Sequence, residues 1–301
     1  MAEKDKKQFP SLQQLIQDSW ELFQKTATGY LKLFGLTMAA LFGGAFIGFL
    51  IAIMFGLSAL TGYFQGAHHM APFPIATAIA LLIWFILVVI LIIVMGISFS
   101  IVNVFILHEK KTSPIFDLIK KSKRYILPYF ITALLSAFIT VGGMFIFFVP
   151  GLLFGVFFLF MLYEVVLEKQ SGRQALARSY IMVKNHFWEV VLRLFVLEIA
   201  NLIISSLFTH LAGANFGLRI VQFLYIVFSV WYVRAYLYVL YTQVRSRTTF
   251  SQHISLRWIW IVSLIGWVFA VFIFVGVGYG ISHFHNMHPV RPMHRMRPGT
   301  V

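Results

Sequence analysis

The chain contains no cysteine in its 301 residues, which excludes disulfides, thiolate metal sites and cysteine nucleophiles. Charge is almost as scarce, at 11% of residues against about 25% in a soluble domain. Acids are the scarcest, 10 against 24 bases, and no paired carboxylates suited to general acid–base work are visible. Walker A, GxSxG, HExxH and dinucleotide-binding patterns are all missing. The sequence therefore reads as non-enzymatic and calls for no cofactor. Apolar residues, by contrast, make up 60% of the chain, with 33 Phe and 7 Trp, and the mean hydropathy is +0.85. So few polar residues cannot coat a globule of this size. The expectation is an all-α, polytopic transmembrane helix bundle.

A helix crosses a hydrocarbon core with about twenty apolar residues. Seven stretches qualify: Leu33–Leu60, Ile75–Leu107, Ile126–Val149, Leu152–Leu167, Val190–Leu211, Ile220–Tyr241 and Trp258–Ile281. Pro150-Gly151 is expected to form the outer turn between the third and fourth. The first thirty residues are polar and show no cleavable apolar segment, so no removable signal peptide is expected.

A net charge of +14 would raise nucleic acid as a partner in a soluble protein. Here it reads as topology, with membrane lipids and their anionic headgroups as the partners instead of nucleic acid. Lys4, Lys25, Lys32, Lys110, Lys120, Lys121, Lys123, Arg124, Arg173, Arg178, Lys184, Arg245 and Arg257 all fall on one side if the N-terminus is cytoplasmic. Only Arg219, Arg291, Arg295 and Arg297 fall outside, the last three in a tail that faces the periplasm if the seventh span crosses. Lys120, Lys121, Lys123, Arg124, Arg173, Arg178 and Lys184 are expected to face lipid headgroups.

Each of the first three inner segments carries an amphipathic helix with a start signal. Ser11-Leu-Gln-Gln14 and Ser171-Gly-Arg-Gln174 fit capping boxes, and Ser113-Pro114 an N-cap followed by proline. The pattern is an interfacial helix and two spans, three times over, with a seventh span added. The organisation expected is a cytoplasmic segment 1–32, a six-span domain 33–245, an inner loop and seventh span 246–281, and a tail 282–301 of disorder-prone composition. Either these helices bind anionic lipid specifically, or they form a geometric collar.

The run Phe148-Val149-Pro150-Gly151-Leu152-Leu153 is followed by a span, Val166-Leu167-Glu168-Lys169, Gly172, Ala175-Leu176, Arg178-Ser179 and Phe187-Trp188. This resembles the YciC-like bacterial inner-membrane proteins, a family related to the membrane domain found beside some glycerophosphoryl diester phosphodiesterases. The resemblance covers about residues 10–245 and is most specific between Phe148 and Glu198. It implies a six-helix domain in the cell inner membrane with cytoplasmic termini. It brings no catalytic residues, and with no separate phosphodiesterase domain in view that activity is not expected. Trp258–Ile281 and the His-rich tail depart from the family pattern.

A charge inside a span is a functional hypothesis by default. Glu198 and Arg234 fall about ten residues from the inner ends of the fifth and sixth spans, so an ion pair is expected. With Asn201 and Tyr238 they line a substrate or proton path on one reading, and lock helix register on the other. Glu164 and Arg193, nearer the inner interface, either pair likewise or snorkel to water. Ala40, Gly44, Gly48, Ala52 and Gly56 form a small-residue stripe for helix packing, within the chain or between two copies. Gly276 and Gly280 repeat it in the last span. His283, His285, His288 and His294, with methionines among them, are the candidate metal ligands; the alternative is a tail of biased composition. No motif names a protein partner.

Overall fold

The computed structural model describes residues 9–64, 73–109, 114–213, 215–250 and 256–287. Among them the regular structure is helical: α1 Leu12–Phe64, α2 Phe73–Glu109, α3 Ile115–Ile146, α4 Phe148–Phe157, α5 Met161–Val166, α6 Arg173–Asn185, α7 Phe187–Ala212, α8 Phe216–Arg245 and α9 Arg257–Met287. In hydrocarbon every backbone N–H and C=O must be satisfied within the protein, so long apolar runs fold as helices. Seven helical segments among the described residues are long and apolar enough to cross a bilayer. Their outer faces carry bare apolar side chains, among them Leu202, Phe223 and Phe272. In water such a surface would aggregate; against lipid it is the surface required. The chain is an all-α, multi-pass membrane bundle.

The chain forms two compact units, residues 1–134 with 157–253 and residues 135–156 with 254–301. In the first, α1, α2 and α8 pack through aromatic rings and one glycine. Tyr30 stacks on Trp231 at 5.7 Å, Phe23 meets Phe228 edge-on at 4.8 Å, and Ile106 lies against Gly29. The end of α2, Ile101–Leu107, is buried on every side. In the second unit α3 meets α9 through Phe138, which stacks on Trp267 at 5.2 Å.

The three interfacial helices depart from expectation. The first two are not separate: α1 runs 53 residues without a break, and α3 carries its amphipathic turns straight into the span. No glycine or proline interrupts Leu12–Thr28, and helix propagates unless something stops it. Pro128 within α3 does not break it; the Thr132 hydroxyl donates to the Pro128 carbonyl at 2.7 Å. Only α6 is set apart, ending at His186. At the first helix the cap is as expected, Ser11 Oγ accepting from Gln14 N–H at 3.2 Å. At α6 the N-cap is Gly172, not Ser171, with φ of 56°, a conformation that favours glycine. Its N–H donates to Thr132 Oγ1 at 2.7 Å. Ser113 lies outside the described residues.

Pro150-Gly151 does not form the turn between the third and fourth spans. The break falls at Phe147, and Pro150 sits in the first turn of α4, where its missing N–H has no partner to lose. Gly143 and Gly151 face each other across the break. A Cβ on Gly151 would overlap Met144, and one on Gly143 the Phe154 ring, so two glycines permit a near-immediate reversal. In the small-residue stripe, Gly48 alone is buried, under the Trp84 ring; Gly44 faces open space and Ala40 is exposed. The Ala52 and Gly56 side chains lie outside the described residues.

Candidate functional site

The fourth span is broken. α4 ends at Phe157, residues 158–160 turn, and α5 begins at Met161. Such a break exposes backbone groups that lipid cannot satisfy. Ser179 of α6, fully buried, closes it from the side: its hydroxyl donates to the Phe157 carbonyl at 2.8 Å and accepts from Phe160 N–H at 3.1 Å. Ser179→Ala leaves both groups buried and unpaired, and should lower stability by about 2–4 kcal/mol. Thermal unfolding of the detergent-purified chain measures this, and an unchanged midpoint would mean another donor substitutes for the hydroxyl.

The break points α5 at a charged cluster. Glu164 has 0% side-chain exposure and lies between two guanidinium groups, Arg178 Nη1 at 3.7 Å and Arg245 Nε at 3.7 Å. Tyr241 donates its hydroxyl to Glu164 Oε1 at 3.1 Å. One turn on, Glu168 Oε2 takes Arg245 Nη2 at 3.2 Å and stands 4.0 Å from Arg178. Two acids and two bases thus neutralise each other across α5, α6 and α8. Phe250 lies against both guanidiniums, 4.3 Å from Arg245 and 5.3 Å from Arg178, and its ring face attracts the two cations. The chain turns tightly after α5, with Lys169 at φ of 56° and Gln170 N–H on the Glu164 carbonyl at 3.1 Å.

A second cluster gathers at the start of α7. Arg193 donates through Nη2 to the Pro10 carbonyl at 2.7 Å, and Arg193 and Arg247 both lie over the Phe9 ring, at 4.2 and 4.3 Å. His186 meets that ring edge-on at 5.2 Å. Burial pushes its imidazole below the usual range; Arg247 adds to the effect and Glu189 opposes it.

The expected pairs take other partners. Glu164 binds Arg178 and Arg245 instead of Arg193. No ion pair among the described residues joins Glu198 to Arg234. Tyr236 bonds the Arg193 carbonyl at 3.1 Å and Tyr225 bonds Asn201 Oδ1 at 2.7 Å. That register sets Glu198 opposite residues near 229, about a turn away from Arg234, and Glu198 is exposed. Counting depth from the assumed span ends missed this offset. Tyr238 meets His108 Nδ1 at 3.0 Å. Of the expected headgroup residues, Lys120, Lys121, Lys123, Arg124, Arg173 and Lys184 are exposed, whereas Arg178 turns inward to the acids. His283, His285, His288 and His294 have side chains outside the described residues.

The basic side also holds a cleft of about 360 Å³ among α1, α2 and α3. Lys25 and Lys32 stand on its wall with Leu36, Ile106, Phe116 and Leu118. Lys25 is paired with Glu21, and Lys32 is exposed.

Helices with lipid-type surfaces, a neutralised buried charge cluster and a rim of exposed lysines define a multi-pass membrane protein. Residues 114–218 match the family model for the membrane domain of glycerophosphoryl diester phosphodiesterase, a membrane family related to the one the sequence resembles. The matched segment holds Glu164, Glu168, Ser179 and Arg178, so it includes the broken span and the residues that close it. No curated protein and no solved structure matches the chain.

Proposed function

We propose that the protein is a non-enzymatic component of the bacterial inner membrane, with its N-terminus in the cytoplasm, that holds anionic lipid headgroups along its basic side. The carrying observation is the cleft of about 360 Å³ in which Lys25 and Lys32 stand above an apolar floor of Leu36, Ile106 and Leu118. An amphiphile suits such a lining: its phosphate meets ammonium groups while its chain lies on hydrocarbon. Lys120, Lys121, Lys123 and Arg124 extend the positive surface along α3. Charge of one sign on one set of connectors supports the cytoplasmic assignment, and lipid binding fits a role in envelope or lipid homeostasis.

The full chain in nanodiscs of mixed phosphatidylglycerol and phosphatidylcholine, ejected for native mass spectrometry, tests this reading. Phosphatidylglycerol should be retained preferentially, and Lys25→Gln with Lys32→Gln should reduce that preference severalfold. Equal retention of the two lipids, or a variant that behaves as the wild type, would defeat it.

A further inference from the structure

Glu198 lies inside the span Phe187–Leu211, about 16 Å from one end and about 20 Å from the other at about 1.5 Å per residue. It is exposed, so its carboxylate stands on the lipid-facing surface near mid-bilayer, beyond the reach of either headgroup layer. Among the described residues it has no ion pair and no hydrogen bond. An ionised group so placed is costly, and such a residue calls for a partner.

The register of α7 keeps it outside. Tyr225 donates to Asn201 Oδ1 at 2.7 Å and Tyr236 to the Arg193 carbonyl at 3.1 Å, which fixes the face of α7 that meets α8. Glu198 falls on the flank of that face, in the series Phe195, Glu198, Leu202, Ser205 and Thr209. The series advances by three and four residues in turn, the spacing of a seam between two helices. Phe195 and Leu202 are 60% and 69% exposed; Glu198 and Thr209 are exposed and Ser205 is half-buried. In lipid, apolar side chains alone give helices little reason to associate, whereas small and polar ones at the contact do. This seam has both, with one charge at its middle and no helix of its own chain paired with that charge.

We propose that this face of α7 docks a transmembrane helix of another membrane protein, one that carries a lysine or arginine at mid-bilayer opposite Glu198. The pair relieves the cost of a lone charge on both sides, Phe195 and Leu202 pack along the incoming helix, and Ser205 admits its close approach. A second copy of the chain does not supply the cation. Two like copies in one membrane share a two-fold axis along its normal, and the contact is the same patch on each, so Glu198 would meet Glu198. Arg193 and Arg234 lie about a turn or more from that depth; the first is bound to the Pro10 carbonyl and the second is half-buried. The face shares no residue with the Lys25–Lys32 cleft and goes beyond the lipid-holding role given to that surface.

The test uses the full chain in phosphatidylcholine liposomes, where no anionic lipid is present and the lipid-holding reading does not enter. The chain has no cysteine, so Asn185→Cys, at an exposed position, takes a single donor dye. The acceptor is carried by a synthetic leucine-alanine span with one central arginine, and energy transfer reports association. That span should bind about tenfold tighter than the same span with a central leucine. Glu198→Gln should remove the preference, Ser205→Leu should weaken binding severalfold, and Glu198→Arg should turn the preference toward a span with a central glutamate. Equal binding of the arginine and leucine spans overturns the proposal, and that comparison needs no change at the seam. A preference that survives Glu198→Gln, or binding indifferent to Ser205→Leu, overturns it as well. So does energy transfer between two labelled copies of the chain, without the synthetic span, that Glu198→Gln abolishes, because the face then belongs to a second copy.

Discussion

Glu164→Leu is expected to leave little folded protein. The side chain is wholly buried, and its loss strands Arg178 and Arg245, each 3.7 Å from it, with only Glu168 to share. Breaking one partner out of a buried pair costs about 3–5 kcal/mol, a large fraction of the 5–15 kcal/mol typical of a whole domain by order of magnitude. Tyr241 also loses the acceptor of its hydroxyl. Glu164→Gln should fall between, because an amide oxygen can still accept from Tyr241 while the charge is gone. The informative variant combines Glu164→Leu with Arg178→Met and Arg245→Met. Glu168, 35% exposed, can be hydrated once its partners leave, so the triple variant should recover most of the lost stability. Unfolding midpoints and monodisperse yield in detergent measure all three. If Glu164→Leu unfolds where the wild type does, the cluster is not what holds α5, α6 and α8 together.

The same cluster shows what could be read in the chain and what could not. Helix class, the number of spans and the exposed lysines of α3 follow from apolar runs and charge placement, which are local properties. Glu164 stood out as a polar residue in a span, but its partners did not, because Arg178 and Arg245 are brought to it by the break after Phe157 and the turn at Lys169 and Gly172. Nothing in the hydropathy of Phe148–Val166 announces that break; Ser179, which satisfies it, belongs to α6, beyond the span altogether. The signal that could have served is the pair Glu164 and Glu168, one turn apart in a chain with 10 acids. Two acids so placed demand cations, and Arg178 lies on the helix that follows. Depth arguments failed for Glu198 and Arg234 for a related reason: span boundaries are the part of a sequence reading least well fixed, and a turn is enough to keep a pair of side chains from meeting. The small-residue stripe in α1 illustrates another limit. Spacing identifies residues able to pack closely, but among the described residues of the stripe only Gly48 has a ring against it.

Gly266 is where close approach is decisive, and Gly266→Val should separate α9 from the second half of α3. A Cβ on Gly266 would overlap the Gly142 carbonyl oxygen, and one on Gly142 would strike Ser263 and Trp267. No rotamer relieves a clash with backbone, so the helices must move apart. Three interactions go with them: Ser263 Oγ–H on the Phe138 carbonyl at 3.2 Å, Trp267 Nε1–H on the same oxygen at 3.1 Å, and the Phe138–Trp267 stack. Overpacking costs about 1–3 kcal/mol or more and the hydrogen bonds about 0.5–1.5 kcal/mol each, while lipid offers no competing hydrogen-bond partner. Gly276, in the stripe of the last span, meets nothing within 4 Å, and Gly276→Ala should be close to neutral. Because the chain has no cysteine, Phe145→Cys with Phe274→Cys gives a clean cross-linking reporter; the two native rings are 6.4 Å apart. A short bifunctional thiol reagent should link them efficiently in the parent and in Gly276→Ala, and poorly in Gly266→Val. Equal cross-linking in all three would place the contact between α3 and α9 elsewhere than at the two glycines.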